Sequence, residues 1–311
     1  MNLAMIRWKQ ENKMTQISAS MVKELREKTG AGMMDCKSAL MNAGDMEGAV
    51  KILREKGLAR AAKKTSRVAA EGLIAINIYG QQASMVELNC ETDFVARNDD
   101  FKNLLELLAK TVHSSGVNRT EIDGTELNHI KTPSGQSVES LITDKVATIG
   151  EKIALRRFAL LSGGDLYGSY LHGAGSIGAL VEYKLSTPVS AEHEQIARDV
   201  AMHVAAASPA FIRESDIPES WVSSEREIFR AQVIASGKPE NMVDKIIEGK
   251  MAKHKKDFCL LEQPFVKNPD HTVSQVLPKG MSVSRMVRFK VGEGIEKQED
   301  NFAEEVKKMT A

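Results

Sequence analysis

Aromatic residues make up only 5% of this 311-residue sequence, and cysteine occurs three times. Cys36, Cys90 and Cys259 are odd in number and far apart, with neither C-x-x-C spacing nor a histidine at metal-ligand distance along the chain. That excludes a disulfide framework, and the thiols are expected to be reduced and mostly buried, as in a cytosolic protein. Neither sign of charge is in excess. Lys+Arg 42 against Asp+Glu 42 leaves no global field to attract nucleic acid or an anionic membrane, so any charged partner must be met locally. Nowhere do about 18 uninterrupted apolar residues occur, and the opening MNLAMIRWKQENK lacks the central apolar run of a signal peptide. A cytoplasmic protein with no membrane association is expected.

Catalytic signatures are absent as well. The sequence contains no G-x-S-x-G and no H-E-x-x-H, and its seven histidines are scattered. TGAGMMDCKS ends in Lys37-Ser38 as a phosphate loop would, but Ala31 and Cys36 stand where the required glycines belong, and a helix pattern rather than a strand precedes it. A tight turn between two helices is the reading, and no enzyme activity, cofactor or metal site is expected.

What is present is organised in pieces, and the length suits two or three structural units. Met14 directly precedes the first organised segment, so residues 1–13 are read as an upstream-start extension, expected to be disordered. Residues 14–67 carry three short helix patterns. SASMVKELREKTG has Ser20 as N-cap, Val22 and Leu25 as a facing pair and Gly30 as terminator; GMMDCKSALMNAG sets one of Met33 and Met34 with Ala39 and Leu40 inward and stops at Gly44; DMEGAVKILREKG starts on Asp45. The basic LARAAKKTSR continues it as helix or linker and marks the first boundary.

Residues 68–162 open on LIAINIYG and SMVELNC, two strand patterns around YGQQ, followed by the amphipathic DDFKNLLELLAKTVHSS, capped at Asp99 or Asp100. The same order recurs over 163–222, where the glycine-turned hairpin GDLYGSYLHGAGSIGALVEYKLS precedes the helix AEHEQIARDVAMHVAAAS. Met85-Val86-Glu87-Leu88 lies over Leu180-Val181-Glu182-Tyr183, which predicts a duplicated hairpin-plus-helix unit. Thr92-Asp93-Phe94 meets Thr187-Pro188-Val189 in that overlay, so the acidic-aromatic pair exists once; a feature needed only by the fold would recur. Residues 223–262, inserted in the second unit, form two helix patterns broken at Ser236-Gly237-Lys238-Pro239, with Ile228, Val243, Ile246, Ile247 and Met251 as the seam of a protruding antiparallel hairpin. Residues 263–311 end the second unit with a strand, a glycine turn and a charged helix striped by Phe302, Val306 and Met309. The fold class is α+β.

LREKTGAGMMDCKSAL, ELNCETDFVARNDDF, ATIGEKIALRR, CLLEQPFV and VRFKVGEGIEK, in that order, resemble the elongation factor Ts family of bacteria from about Met14 to the C-terminus. The resemblance implies a guanine nucleotide exchange factor for the translational GTPase elongation factor Tu, without covalent chemistry and without nucleotide binding of its own. It implies that Asp93 and Phe94 lie on a loop touching the GTPase, Phe94 wedged between partner helices near the magnesium and phosphate site. By the same resemblance, residues 14–67 form a ubiquitin-associated-like module whose Met33, Met34 and Lys37 meet the nucleotide domain. Ile149, Gly150 and His172 are expected at the interface, and the last helix around Phe302 and Val306 should return to the nucleotide domain. Ser176 stands where many members carry Arg. The competing reading is an RNA- or ribosome-associated binding protein using the basic stretch Arg54 to Arg67 and the lysines of the helical hairpin; neutral total charge and the lack of interleaved aromatics argue against specific nucleic-acid binding.

Overall fold

The computed structural model describes residues 17–116, 118–237 and 239–296. The expected extension 1–13 and the final helix with Phe302 and Val306 lie outside them.

Three helices open the chain: α1 (Ala19–Thr29), α2 (Met33–Ala43) and α3 (Met46–Lys64). Gly30 and Gly44 take left-handed conformations and close the first two, and Asp45 caps the third through the Gly48 N–H. The N-cap of α1 is Ser18, not Ser20: Ser18 is extended and accepts from the Met21 N–H at 3.2 Å, whereas Ser20 is already inside the first turn. Val22, Leu25, Cys36, Ala39, Leu40 and Ala49 form the core of this module. Met33 and Met34 are both exposed, against the expectation that one would turn inward, because Cys36, Ala39 and Leu40 already fill the inward stripe of α2. The basic stretch after Leu58 stays helical to Lys64.

Strands β1 (Glu71–Tyr79) and β2 (Gln82–Cys90) pair antiparallel, then come a one-turn helix α4 (Asp93–Ala96) and the amphipathic α5 (Asp99–Thr111). Asn98 caps α5 by accepting from the Asp100 N–H at 2.8 Å, so Asp99 and Asp100 are first-turn acids rather than caps, where the helix dipole favours them. Strand β3 (Arg119–Asp123), helix α6 (Val138–Ile149) and strand β4 (Ile153–Ser162) complete a sheet of order β1-β2-β4-β3. The second sheet joins β5 (Leu166–His172) and β6 (Ile177–Leu185), and helix α7 (Ala191–Ala207) covers it. Helices α8 (Glu219–Ala235) and α9 (Glu240–Phe258) form the antiparallel hairpin, its seam built from Val222, Phe229, Val233, Val243, Ile246, Ile247 and Met251. Ile228 is not in that seam; it is exposed, since Phe229 and Val233 occupy the inward positions. A small hairpin of β7 (Pro264–Phe265) and β8 (Asn268–Thr272) precedes β9 (Met281–Lys290), which finishes the order β5-β6-β9.

The two sheets pack face to face through Ile74, Ala83, Met85, Ala159, Leu161, Leu180, Val287 and Phe289. Their register repeats the same irregularity. Leu88 pairs with Leu155 and Glu87 with Arg157, skipping Arg156; Tyr183 pairs with Val283 and Glu182 with Arg285, skipping Ser284. Each extra residue is a β-bulge that swaps the inward parity of its strand. Ile153 and Leu155 share one core with Phe158 and Leu160, and Met281 and Val283 share another with Met286. At each bulge a buried glutamate lies between the sheets. Glu87 is fully buried, with Arg156 at 2.9 Å and Arg157 at 2.6 Å, and it accepts the Gly292 N–H at 2.9 Å. Glu182 accepts from Arg285 Nε at 3.0 Å and from the Ser284 hydroxyl at 2.7 Å.

Removing one partner of a buried ion pair strands the other, at about 3–5 kcal/mol. Glu87→Ala should therefore lower the unfolding free energy by about that amount in urea titrations with near-ultraviolet detection; a change under about 1 kcal/mol would show that the sheets do not rely on this contact.

Candidate functional site

The NCETDFVARN stretch leaves β2 and makes α4 before entering α5. Thr92 is the N-cap of α4, its hydroxyl accepting from the Val95 N–H at 3.4 Å. Val95 packs against the core and Ala96 is buried, so one side of this single turn is anchored. Phe94 faces the other way and is 80% exposed, more than any other large apolar side chain among the described residues. Asp93 pairs with Arg97 at 2.8 Å, one turn on. Full burial of a Phe is worth about 1.5–3 kcal/mol, and the free protein forgoes that here.

The loop is pinned from the far end of α6. Gly150, at φ 87°, ends that helix in the left-handed conformation that spares glycine a steric penalty. Glu151 follows and accepts twice from Thr92, from N–H at 3.0 Å and from the hydroxyl at 2.7 Å. In return Glu91 accepts the Lys152 N–H at 2.6 Å and pairs with Arg67 at 2.9 Å. Lys152 Nζ donates to the carbonyls of Thr65 and Arg67 at 2.7 and 2.8 Å. Cys90 lies beneath, buried, its thiol donating to the Thr92 carbonyl at 3.1 Å and pushed up to about 12 by burial first and by the Glu151 and Glu71 charges next.

The other residues predicted from sequence fall on either side of this loop. Ile149 is half-buried, its side chain packed on the first core, and Gly150 is exposed. Met33, Met34 and Lys37 are all exposed; the three- and four-residue spacings to Lys37 put them on one face of α2. Met41, 60% exposed, lies a further turn along that face and was not anticipated; its spacing from Met34 was the available signal. This module sits directly against α6: a Cβ on Gly57 would come within 2.7 Å of the Ala147 methyl, and one on Gly30 within 3.0 Å of Thr148. Contacts thus run from the end of α1 and from α3 to α6 and its Ile149-Gly150 turn, then through Glu151 to Thr92, two residues before Phe94.

His172 is exposed at the tip of the second hairpin, with Nδ1 at 3.3 Å from the Tyr170 hydroxyl. Ser176 donates its hydroxyl to the His172 carbonyl at 3.2 Å and tightens the turn. That tip rests on β1 next to Ile74, the strand that also packs against α4. None of the described candidate residues lines the cavity of about 400 Å³ between α3 and α6, whose walls include Val50, Leu53, Gly57 and Ala147. Apart from the half-buried Asp93 and Ile149, the candidates are exposed on the outer surface.

A thiol at about 12 holds about a thousandfold less thiolate near neutral pH than one at 9.0, and Cys90 is also shielded. Iodoacetamide should label native Cys90 at least a hundredfold more slowly than in the urea-unfolded chain, read by mass spectrometry of the Cys90 peptide; equal rates would mean the loop opens freely.

Residues 91–293, more than half of the chain, match the family model described as Elongation factor TS. The match begins at Glu91, directly after β2, and spans Thr92, Phe94 and Glu151, strands β3 and β4 of the first sheet, the second sheet and the helical hairpin. No helix among the described residues is long and apolar enough to cross a membrane. On that match the chain belongs to the elongation factor Ts family, translation elongation factors that act as nucleotide exchange factors.

Proposed function

We propose that this protein releases GDP from elongation factor Tu by setting Asp93 and Phe94 against the GTPase domain, close to where it holds magnesium and the GDP phosphates. A GTPase retains GDP largely through phosphate contacts and a bridging magnesium ion, so small displacements of the elements that carry them weaken binding strongly. A large apolar side chain inserted between two helices does this without chemistry of its own. The observation that carries the reading is Phe94 itself, 80% exposed on a turn whose other face is anchored in the core. In this reading the protein binds no nucleotide and acts wholly through its partner's conformation.

Exchange of this kind is allosteric coupling, and it is reciprocal: whatever the factor removes from GDP affinity, GDP removes from the factor's. A shift of about 10⁴-fold needs roughly 5.5 kcal/mol of differential binding, while one buried Phe supplies about 1.5–3. Further contacts make up the difference. We assign them to Met33, Met34 and Lys37 on α2, to Ile149 and Gly150, and to His172. Methionines suit such a face, since their unbranched, polarizable side chains conform to a partner surface. Phe302 and Val306, expected to add a last contact, lie outside the described residues.

Stopped-flow release of a fluorescent GDP from elongation factor Tu tests this. Phe94→Ala should slow the catalysed release by on the order of tenfold, from the loss of one buried aromatic. Asp93→Ala should slow it less, because its ion pair with Arg97 is half-exposed. Release as fast with Phe94→Ala as with the parent would leave exchange intact and remove the wedge.

A further inference from the structure

We propose that Glu151 is a positioning residue for exchange: its carboxylate holds Thr92 so that Phe94 is presented in one orientation. The proposal rests on the wedge reading of Phe94 and extends it to a residue 59 positions from Thr92 in the chain.

Four residues is less than a stable helix needs, because the nucleation cost is not repaid over a single turn. Val95 and Ala96 anchor α4 from one side only. The second constraint is Glu151, whose two oxygens accept separately from Thr92 N–H at 3.0 Å and Thr92 Oγ1 at 2.7 Å. Charge-assisted bonds of this length are roughly twice as strong as neutral ones. Two bonds to one residue fix the N-cap in both position and rotation, and Phe94 is two residues further on.

The arrangement is crossed. Glu91, next to Thr92, accepts the N–H of Lys152, next to Glu151, so each loop contributes a carboxylate to the other's backbone. Arg67 and Lys152 tie the same knot to the end of α3 through Glu91 and the Thr65 and Arg67 carbonyls. Phe94, the Ile149-Gly150 turn and the three-helix module thereby hold a fixed mutual arrangement before any partner arrives. Preorganisation of this sort raises affinity by removing ordering costs from the binding step. The Glu151→Gln substitution keeps the length but replaces one acceptor with a donor. Thr92 N–H can still donate to the remaining oxygen, so Glu151→Gln retains part of the hold and Glu151→Ala none.

The test is a double-mutant cycle in the full chain, reading GDP release from elongation factor Tu over a range of factor concentrations, with melting curves to confirm folding. Glu151→Ala is expected to slow release at least fivefold, and Glu151→Gln by an intermediate amount. In a Phe94→Ala background, Glu151→Ala should cost less than twofold, because there is no longer an aromatic to orient. Cys90 alkylation should rise in Glu151→Ala, as the loop above the thiol loosens. Equal cost in both backgrounds would make Glu151 a residue acting independently of Phe94 and overturn the proposal. Slow release with Phe94→Ala beside parental release with Glu151→Ala would overturn the positioning role alone. Parental release with Phe94→Ala would overturn the wedge reading and the positioning role with it. Should Glu151→Ala fail to fold, Glu151→Gln carries the same cycle.

Discussion

Glu87 and Glu182 are sealed between the two sheets, and the rest of the structure is arranged around keeping them satisfied. A carboxylate withdrawn from water costs several kcal/mol, recovered only when its oxygens are filled by well-placed donors. Here they are filled mainly by arginines on the neighbouring strand of the same sheet, which also reach across the interface. Arg157 pairs with Glu87 and also reaches the Lys290 carbonyl of the second sheet, while Arg285 pairs with Glu182 and also reaches the Ser162 carbonyl of the first. Gly292 adds its N–H to Glu87, which ties the turn after β9 to β2. Apolar packing alone would let two sheets slide; these directional bonds fix their register, and with it the seat of the His172 hairpin tip on β1.

That rigidity reaches the candidate site along short covalent paths. Glu87 lies on β2, five residues before Thr92, and Arg156 and Arg157 lie on β4, five and six residues after Glu151. The same two strands that bury the glutamate therefore deliver the two ends of the Thr92–Glu151 hold. An exposed Phe94 forgoes its own burial in the free protein, and a firm base keeps that forgone burial available for a partner.

Periodicity in the sequence carried much of this. Both hairpins, α5, α7 and the helical hairpin follow patterns of two or of 3.6 residues, and the overlay of Glu87 on Glu182 anticipated a repeat that the two bulges reproduce. Strand β4 escaped because Arg156 breaks its alternation: Ile153 and Leu155 face the core at odd positions, Phe158 and Leu160 at even ones. Helix α6 was hidden by a narrow apolar stripe, Val138 and Val146 being its buried members. The two cap errors share one cause. Several polar residues in a row can cap, and only the backbone turn decides between Ser18 and Ser20, or between Asn98 and the aspartates after it. Asp93 and Phe94 stand out in the sequence as an unrepeated pair, whereas the Glu151–Thr92 contact does not, because it is a long-range pairing that no local pattern encodes.

The central claim is that Phe94 meets the nucleotide domain of elongation factor Tu. A photoreactive phenylalanine analogue at position 94 tests it directly, with cross-linked peptides mapped by mass spectrometry after irradiation of the complex. The account predicts cross-links confined to helices of the nucleotide domain beside the magnesium and phosphate site. Cross-links elsewhere on the partner, or none from a variant that still drives GDP release, would contradict it.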